Sequence, residues 1–309
     1  HEVLIRSEGF GLNYADVMAV KGLYREAPPL PSVLGYEVVG TVEAVGDAVP
    51  KELLGQRVVG VTRFGGYAQY VVTDYRVVAV IGDVPLGHAA AMATQGCTAW
   101  YAARILCPLR RAERVLVHSA AGGVGHWLVQ LALQAGCEVY AIAGGKRKCE
   151  HLSSMGVQHV IDRRAGGCYT ALAKVLGEYR LDVSFNAVGG TSFAQDMRRL
   201  GSGGRIVSFG GAQRGTLGAF GTLRFVWSMG LVVPIFLMMK SRSILGINML
   251  RIAEDRPGII AECLAGVVQA HARGELHAHV HAVFEADRLP EALAALGSGS
   301  TMGKVVVRW

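Results

Sequence analysis

The chain has 309 residues, of which 51% are hydrophobic and 41 are glycine, and its formal net charge is +7. This composition is typical of an α/β protein with many tight strand-to-helix turns, and it excludes a disordered or fibrous chain. Basic residues occur only in short clusters without aromatic interleaving, which argues against nucleic acid as a partner. The cysteines are widely spaced and form no CxxC pair, which favours a reducing, cytoplasmic location.

The first part of the chain is rich in β-branched residues and punctuated by Gly, Pro and Asp, a pattern that predicts short strands. These are predicted at Glu2–Arg6, Val38–Val45, Arg57–Val61 and Tyr67–Val72. Because the chain opens in what already resembles a strand, we expect a further segment to precede His1.

From about Ala89 onward, longer helix and strand patterns alternate, as in a parallel sheet built from βαβ units. Strands are predicted at Arg114–Ser119, Glu138–Ala143, Gln158–Ile161, Asp182–Asn186, Arg205–Phe209 and Ser243–Asn248. Helices are predicted at Gly123–Ala135, from the second strand through Met155, at Glu254–Arg273 and at Leu289–Leu296. This order predicts the α/β class, with a doubly wound, parallel Rossmann sheet.

The tail returns to β-like texture at His279–Phe284 and Lys304–Trp309. The C-terminus is therefore expected to rejoin the first domain. The predicted organisation is a β-rich domain of residues 1–92 and 275–309 around a nucleotide-binding domain of residues 93–274.

The strongest local motif is Val115-Leu-Val-His-Ser-Ala-Ala-Gly-Gly-Val-Gly125, an apolar strand running through glycines into a helix. Glycines let the backbone approach a pyrophosphate at the helix N-terminus, so the motif predicts dinucleotide binding. The second strand ends at Gly144-Gly145 without a carboxylate and is followed by Lys146, Arg147 and Lys148. Cations suit the 2′-phosphate of NADP, which is therefore predicted over NAD.

These motifs, in this order, resemble the zinc-free quinone oxidoreductase (zeta-crystallin-like) branch of the medium-chain dehydrogenase/reductase superfamily, and within it most the group related to the vesicle protein VAT-1. The matching segments are Gly11-Leu-Asn-Tyr-Ala-Asp16, Gly22-Leu-Tyr24, Pro28-Pro-Leu-Pro31, Gly35-Tyr-Glu37, His118–Gly125, Asn186-Ala-Val-Gly-Gly190, Gly246-Ile-Asn248 and Met302-Gly-Lys304. The resemblance implies a GroES-like substrate domain around the Rossmann domain, with the nicotinamide between them, and a homodimer formed by extending the Rossmann sheet.

The resemblance also assigns residues. Lys148 is expected to contact the 2′-phosphate, with Arg163 as a second partner where many relatives have a tyrosine; Thr98 is expected near the nicotinamide. The full set of implied cofactor residues is Thr98, Ala121, Gly122, Gly123, Val124, Gly144, Lys148, Arg163, Phe209, Gly210, Ile247, Asn248 and Met249. Met18 stands where some relatives have an active-site tyrosine.

Zinc-dependent relatives have a cysteine near Asn13 and Gly-His-Glu where this chain has Gly35-Tyr36-Glu37. Without those ligands no metal site is expected. The implied activity is therefore hydride transfer from NADPH to a small hydrophobic quinone or α,β-unsaturated carbonyl. Asn13 is the expected oxyanion donor and Tyr24 the expected hydrogen-bond or proton donor, unless Asn13 only fixes its loop and Tyr24 only packs.

Two other functions stay open. One is the enoyl-thioester reductase domain of a polyketide or fatty-acid synthase, and the other a non-catalytic, NADP-binding, membrane-associated protein of the VAT-1 kind. The apolar segment Phe225–Met239 is interrupted by Ser228, Gly230 and Pro234, so we expect it not to span a bilayer. It is either a hydrophobic substrate wall or a membrane-docking patch.

Overall fold

The computed structural model describes residues 1–29, 31–212 and 218–309; of the Pro28–Pro31 motif, Leu30 therefore lies outside the described residues. The described residues form two compact units. The first comprises His1–Trp100, Gly122–Trp127 and Met249–Trp309, and the second Tyr101–Ala121 and Leu128–Asn248. The predicted domain boundaries, near residues 92 and 275, stay predictions.

In chain order the strands are β1 (Glu2–Leu12), β2 (Glu37–Val45), β3 (Arg57–Val61), β4 (Tyr70–Asp74), β5 (Val78–Val80), β6 (Arg114–His118), β7 (Glu138–Ala143), β8 (His159–Asp162), β9 (Leu181–Asn186), β10 (Leu200–Ser208), β11 (Ser243–Gly246), β12 (Val280–Glu285) and β13 (Lys304–Arg308). The helices are α1 (Tyr14–Val20), α2 (Leu86–Ala91), α3 (Cys97–Trp100), α4 (Gly123–Gln134), α5 (Lys146–Ser154), α6 (Cys168–Leu176), α7 (Thr191–Arg199), α8 (Gly218–Met229), α9 (Pro234–Met239), α10 (Met249–Asp255), α11 (Pro257–Ala272) and α12 (Leu289–Gly297).

The first unit is organised around β1, which pairs antiparallel with β2, β4 and β13, while β13 pairs parallel with β12. Strand β1 is longer than the predicted strand Glu2–Arg6. Gly9 and Gly11 interrupt the β-branched sequence pattern, but the pairing of β1 with its neighbours continues through them. A Cβ on Gly9 would lie 2.3 Å from the Val307 carbonyl oxygen, so glycine is what allows β13 to approach. The C-terminal strand is thereby joined directly to the first one.

The second unit contains a six-stranded parallel sheet in the order β11-β10-β9-β6-β7-β8. The strand order reverses between β6 and β9. In doubly wound sheets, ligands bind at such a switch point, in the crevice outside the carboxyl ends of the strands. Buried Leu116, Tyr140, Phe193 and Ile206 belong to the core on one face of the sheet. The predicted fold class and parallel sheet are confirmed. Each predicted strand is present and begins within a few residues of its predicted start. The exception is β10, which begins at Leu200 instead of Arg205.

One predicted helix needs correction. The single helix Glu254–Arg273 is divided into α10 and α11 at Arg256, whose φ of −143° is extended, because Pro257 cannot continue the preceding hydrogen-bond ladder. The stretch Gly221–Met239, which contains the apolar segment, has 19 residues and is long and apolar enough to cross a membrane by length and composition alone, which is weak evidence that it does so. It nevertheless forms two short helices, α8 and α9.

Candidate cofactor and active site

The glycine motif forms the turn between β6 and α4. Ala120 N–H donates to the Ile142 carbonyl at 3.0 Å, and α4 begins at Gly123, so Ala121–Val124 cover the turn and the first residues of the helix. A Cβ on Gly123 would lie 2.0 Å from Gln95 Oε1, so a side chain there would displace the end of Gln95. The exposed N–H groups of such a helix start suit a pyrophosphate.

Three cations surround the turn that follows β7. The Arg163 guanidinium covers Gly144, where a Cβ would lie 2.9 Å from Arg163 Nε, and Arg164 covers Gly145 in the same way at 3.3 Å. Burial, together with the charges of Arg163 and Arg164, lowers the pKa of Lys148. Like charges held this close suit a dianion such as a phosphate monoester.

A carboxylate also touches this turn, although the sequence places none at the end of β7. Asp162, at the end of β8, accepts hydrogen bonds from Gly145 N–H and Arg164 N–H, each 2.8 Å long. These backbone hydrogen bonds hold the pKa of Asp162 below its usual range. One carboxylate oxygen is thus committed to shaping the turn beneath the cations.

The other predicted cofactor residues of the second unit follow the carboxyl ends of strands. Phe209 and Gly210 follow β10, and a Cβ on Gly210 would lie 2.5 Å from the Ala187 carbonyl oxygen, so this segment lies against the one after β9. Ile247 and Asn248 follow β11, with Ile247 N–H donating to the Ser208 carbonyl at 2.9 Å.

Besides Gly122–Val124, two predicted cofactor residues belong to the first unit, Met249 and Thr98. Met249 begins α10. Thr98 lies in α3, buried, and its hydroxyl donates to the Thr94 carbonyl at 2.6 Å. The proton of that hydroxyl is therefore committed, which leaves Thr98 Oγ1 as an acceptor.

Three sequence motifs of the first unit meet in one buried cluster, which we call the lysine cluster: Asn13, Asp16, Glu37 and Lys304. Glu37 and Lys304 are completely buried and form an ion pair. Lys304 Nζ also donates to Asn13 Oδ1 at 3.0 Å. A Cβ on Gly11 would overlap this pair, 2.0 Å from Lys304 Cε, which explains the glycine that begins the first motif.

The lysine cluster has an unused hydrogen-bonding group. Asp16 Oδ2 accepts Asn13 N–H at 2.7 Å, and burial raises the pKa of this carboxyl group to about 7. The Tyr67 hydroxyl is the side-chain hydrogen-bond partner of Asp16. Among the described residues, Asn13 Nδ2 is buried without a hydrogen-bond partner. Buried polar groups are nearly always satisfied, so this amide nitrogen marks a place where a ligand or water completes the site.

Tyr24 lies in the same unit as Asn13, half-buried, with its ring edge-on to Tyr36 at a centroid distance of 6.2 Å. Burial and the charge of Glu26 raise the pKa of Tyr24, which keeps its hydroxyl protonated at neutral pH. Tyr24 is therefore a hydrogen-bond donor.

Sequence reasoning quoted Asp16 and Lys304 within motifs but gave them no role, since neither motif reveals that they meet. It missed Asp196 altogether. This buried carboxylate accepts hydrogen bonds from Ser184, Asn186 and Tyr169 and pairs with His118, at 2.6–2.8 Å. A single Asp within the polar helix α7 gives no local signal of such a role.

Two family models match the chain: "Alcohol dehydrogenase GroES-like domain" over residues 1–83 and "Zinc-binding dehydrogenase" over residues 123–265. Quinone oxidoreductase-like protein 2 of Bos taurus is 30% identical over 311 residues, which cover 99% of this chain and 85% of that protein. A mycocerosic acid synthase-like polyketide synthase of Mycobacterium tuberculosis is 31% identical over 68% of this chain, and the chain spans only 10% of that protein's length.

Solved structures give the same result. A quinone oxidoreductase of Pseudomonas syringae has a TM-score of 0.85 at 25% identity, over 100% of this chain and 91% of that one. Mycobacterial Rv1454c, complexed with NADPH, has a TM-score of 0.85 at 26% identity, over 100% and 92% of the two chains. CurK enoyl reductase has a TM-score of 0.84 at 27% identity, over 99% and 90%.

A human VAT-1 homolog-like protein has the same fold, with a TM-score of 0.82 at 24% identity over 100% of this chain and 89% of that one. The predicted resemblance is confirmed. With its GroES-like and nucleotide-binding domain matches and its full-length quinone oxidoreductase-like relatives, the chain belongs to the quinone oxidoreductase branch of the medium-chain dehydrogenase/reductase superfamily.

Proposed function

We propose that this chain reduces a small hydrophobic quinone or α,β-unsaturated carbonyl with NADPH, without a metal ion. The cofactor is NADP(H), as the family and the NADPH complex of Rv1454c indicate. Lys148, Arg163 and Arg164 are suited to its 2′-phosphate, and the turn Ala121–Val124 to its pyrophosphate.

The observation that carries the proposal is the contact between Lys304 and Asn13. An ammonium group can only donate, so Asn13 Oδ1 must face Lys304 and the Nδ2 group is the opposite end of the amide. Asn13 is thus held as a neutral donor with its N–H groups unused. Such a preorganised donor stabilises negative charge that develops on a carbonyl oxygen.

The residues present also support metal-free chemistry. Where zinc-dependent relatives have Gly-His-Glu this chain has Gly35-Tyr36-Glu37, and no cysteine lies near Asn13 in the sequence. Neither the thiolate nor the imidazole ligand of such a zinc site is therefore present.

Bound NADPH supplies the hydride. As the hydride adds to the electron-poor carbon of the acceptor, the electron pair of the C=C bond shifts towards the carbonyl oxygen, and Asn13 Nδ2 donates a hydrogen bond to that oxygen. The Tyr24 hydroxyl donates the proton that completes the reduction and is reprotonated from solvent. The products are the saturated carbonyl, or the hydroquinone, and oxidised cofactor.

The cofactor assignment is tested by the affinities for NADPH and NADH of wild type, Lys148→Ala and Arg163→Ala. We expect each substitution to weaken NADPH binding roughly tenfold and leave NADH binding unchanged, because each removes one charge-assisted contact to the 2′-phosphate. Arg147→Ala, an exposed cation on the same helix, is the matched control. Equal losses for both cofactors would contradict the assignment.

Turnover is tested with 9,10-phenanthrenequinone and a simple enone. Asn13→Ala should lower kcat/KM by about 10²- to 10³-fold, as loss of one oxyanion donor does, with NADPH affinity retained. If wild type binds NADPH tightly but reduces neither acceptor, the non-catalytic, NADP-binding alternative replaces this proposal.

A second candidate is enoyl-thioester reduction, which uses the same hydride addition to a conjugated carbonyl. It is favoured by the polyketide synthase relative and by the similarity to CurK enoyl reductase. Crotonyl thioesters of coenzyme A and of N-acetylcysteamine separate the two candidates: a kcat/KM well above that for free enones selects the thioester.

We also propose a cytoplasmic homodimer. All six cysteines are free, as in a reducing compartment. In the described residues β11 forms an edge of the parallel sheet, where a second copy would extend it. Light scattering of the purified chain gives the mass that decides this point.

A further inference from the structure

The outer face of α8 and α9 is strongly apolar and exposed. Trp227 is 85% exposed, Leu231 91% and Met239 72%, whereas large apolar side chains elsewhere are rarely left so open. We call this surface the apolar ridge; its members are Leu223, Val226, Trp227, Leu231, Ile235, Phe236, Met238 and Met239. A contiguous exposed patch of this kind marks an interaction site.

The ridge is attached to the second unit by its inner face. The Phe225 ring lies against Gly189, where a Cβ would be 2.5 Å from Phe225 Cζ, and Met229 packs on the core beneath. The chain turns at Gly230, whose φ is 85°, and α9 is only six residues long. One face is therefore committed to the protein, which suits a segment that lies on a surface better than one that crosses it.

The sequence that contains the ridge carries charges of one sign: residues 197–253 contain eight Arg and Lys and no Asp or Glu. Two of these cations form ion pairs with carboxylates outside the stretch, Arg205 with Glu113 and Arg251 with Glu26 and Glu254. A groove of about 380 Å³ brings Leu231, Val232 and Phe236 together with the cations on its lining. These cations are Arg180, Arg198, Lys240 and Arg242, and no carboxylate among the described residues lies within ion-pair distance of them.

We propose that the apolar ridge docks the protein on the surface of an anionic lipid bilayer. The apolar side chains insert at the level of the headgroups and acyl boundary, while the groove cations contact lipid phosphates and carboxylates. Charge complementarity selects this occupant, since anionic lipids supply the negative charge that the groove cations lack among the described residues. Trp227 and Phe236 are the kinds of side chain that anchor at such an interface.

The test is co-sedimentation of the full chain with phosphatidylcholine vesicles, with and without phosphatidylserine. Wild type should partition at least tenfold more strongly onto the phosphatidylserine vesicles, and high salt should weaken that partition. Trp227→Ser/Leu231→Ser should lower the partition at least tenfold, and Lys240→Glu should lower it about fivefold for the anionic vesicles only. Leu54→Ser, at an exposed leucine outside the ridge, is the matched control and should bind as wild type does.

Folding of each variant is checked by NADPH affinity and the thermal midpoint. Equal partition of wild type onto both vesicles, no partition onto either, or full binding by the double serine variant would each overturn the proposal. Light scattering provides a further test. If wild type is a dimer and the double serine variant is a monomer, the ridge is assigned to contact between copies instead.

Discussion

The two units each bury a charged network, and the two networks differ in how completely they are satisfied. In the second unit, Asp196 receives four partners, and those partners hold its pKa below the usual range despite burial. In the first, burial raises the pKa of Asp16, and the Asn13 amide nitrogen has no hydrogen-bond partner among the described residues. A closed network of this kind fixes structure, whereas an open one is available to a ligand.

The two networks also differ in what they do to the nearby backbone. Asn186, bound to Asp196 through its amide nitrogen, uses its oxygen to accept Val188 N–H and Gly189 N–H at 2.9 and 2.8 Å. The Asp196 network therefore shapes the turn after β9 at the carboxyl edge of the sheet. The lysine cluster presents its own unused donor instead of shaping a turn.

The largest effect is expected for Asp196→Ala. It removes the acceptor of three donors and the partner of His118, all buried, so the free energy of unfolding should fall by about 4–5 kcal/mol. Urea denaturation measures this value. A loss below about 1 kcal/mol would show that the network is not the structural element described here.

Lys304→Met should lower the free energy of unfolding by about 3 kcal/mol, because it leaves Glu37 as a buried charge without its partner. Combining it with Glu37→Gln should restore part of that loss, since the uncompensated charge is then gone. The double-mutant cycle gives the coupling energy. Additive losses would show that the two side chains do not act as a pair.

The pH dependence of stability should separate the two carboxylates. The pKa of Asp16 rises from 3.8 to about 7 on folding, so the folded chain holds a proton that the unfolded chain has released. Its contribution to stability is fully present below about pH 3.8 and is lost as pH rises from there to about 7, a loss on the order of 4 kcal/mol.

Asp16→Asn keeps an acceptor for Asn13 N–H but removes this titration, so its stability should fall less than that of wild type between about pH 5 and pH 7.5. Parallel urea curves at the two pH values provide the measurement. An unchanged slope in the variant would assign the dependence to another group.

The smallest effect is expected for Ser184→Ala. It removes one of the hydrogen bonds that Asp196 accepts, so the free energy of unfolding should fall by about 1 kcal/mol. The pKa of Asp196 should rise, because that hydrogen bond stabilises the ionised carboxylate. Denaturation at neutral pH checks the first expectation. A loss as large as that of Asp196→Ala would mean that the network depends on each member.

Most of the fold could be predicted because its signals are local. β3 and β7 have the predicted bounds, since an apolar β-branched run between turn residues is enough to define a strand. The division at Pro257 was also present in the sequence as a proline inside a helical pattern, and it was overlooked. The glycine turn between β6 and α4 likewise consists of neighbouring residues, and Lys148 lies close after β7 in the sequence.

The lysine cluster could not be predicted in the same way. Asn13 and Lys304 are separated by 291 positions, and only the pairing of β1 with β13 brings them together. Asp196 similarly acquires its partners from β6, β9 and α6. Tertiary contact, not residue type or spacing, gives these side chains their roles.

Because β13 delivers Lys304, the order of synthesis matters for the first unit. A chain emerging from the ribosome presents Asn13 and Glu37 long before Lys304 exists. Until β13 has been synthesised, Glu37 has no Lys304 to accompany it into the interior and is held in water by the energy of its hydration. Burial of Glu37 as an ion pair, and with it the final packing of β1 and β2, therefore waits for β13.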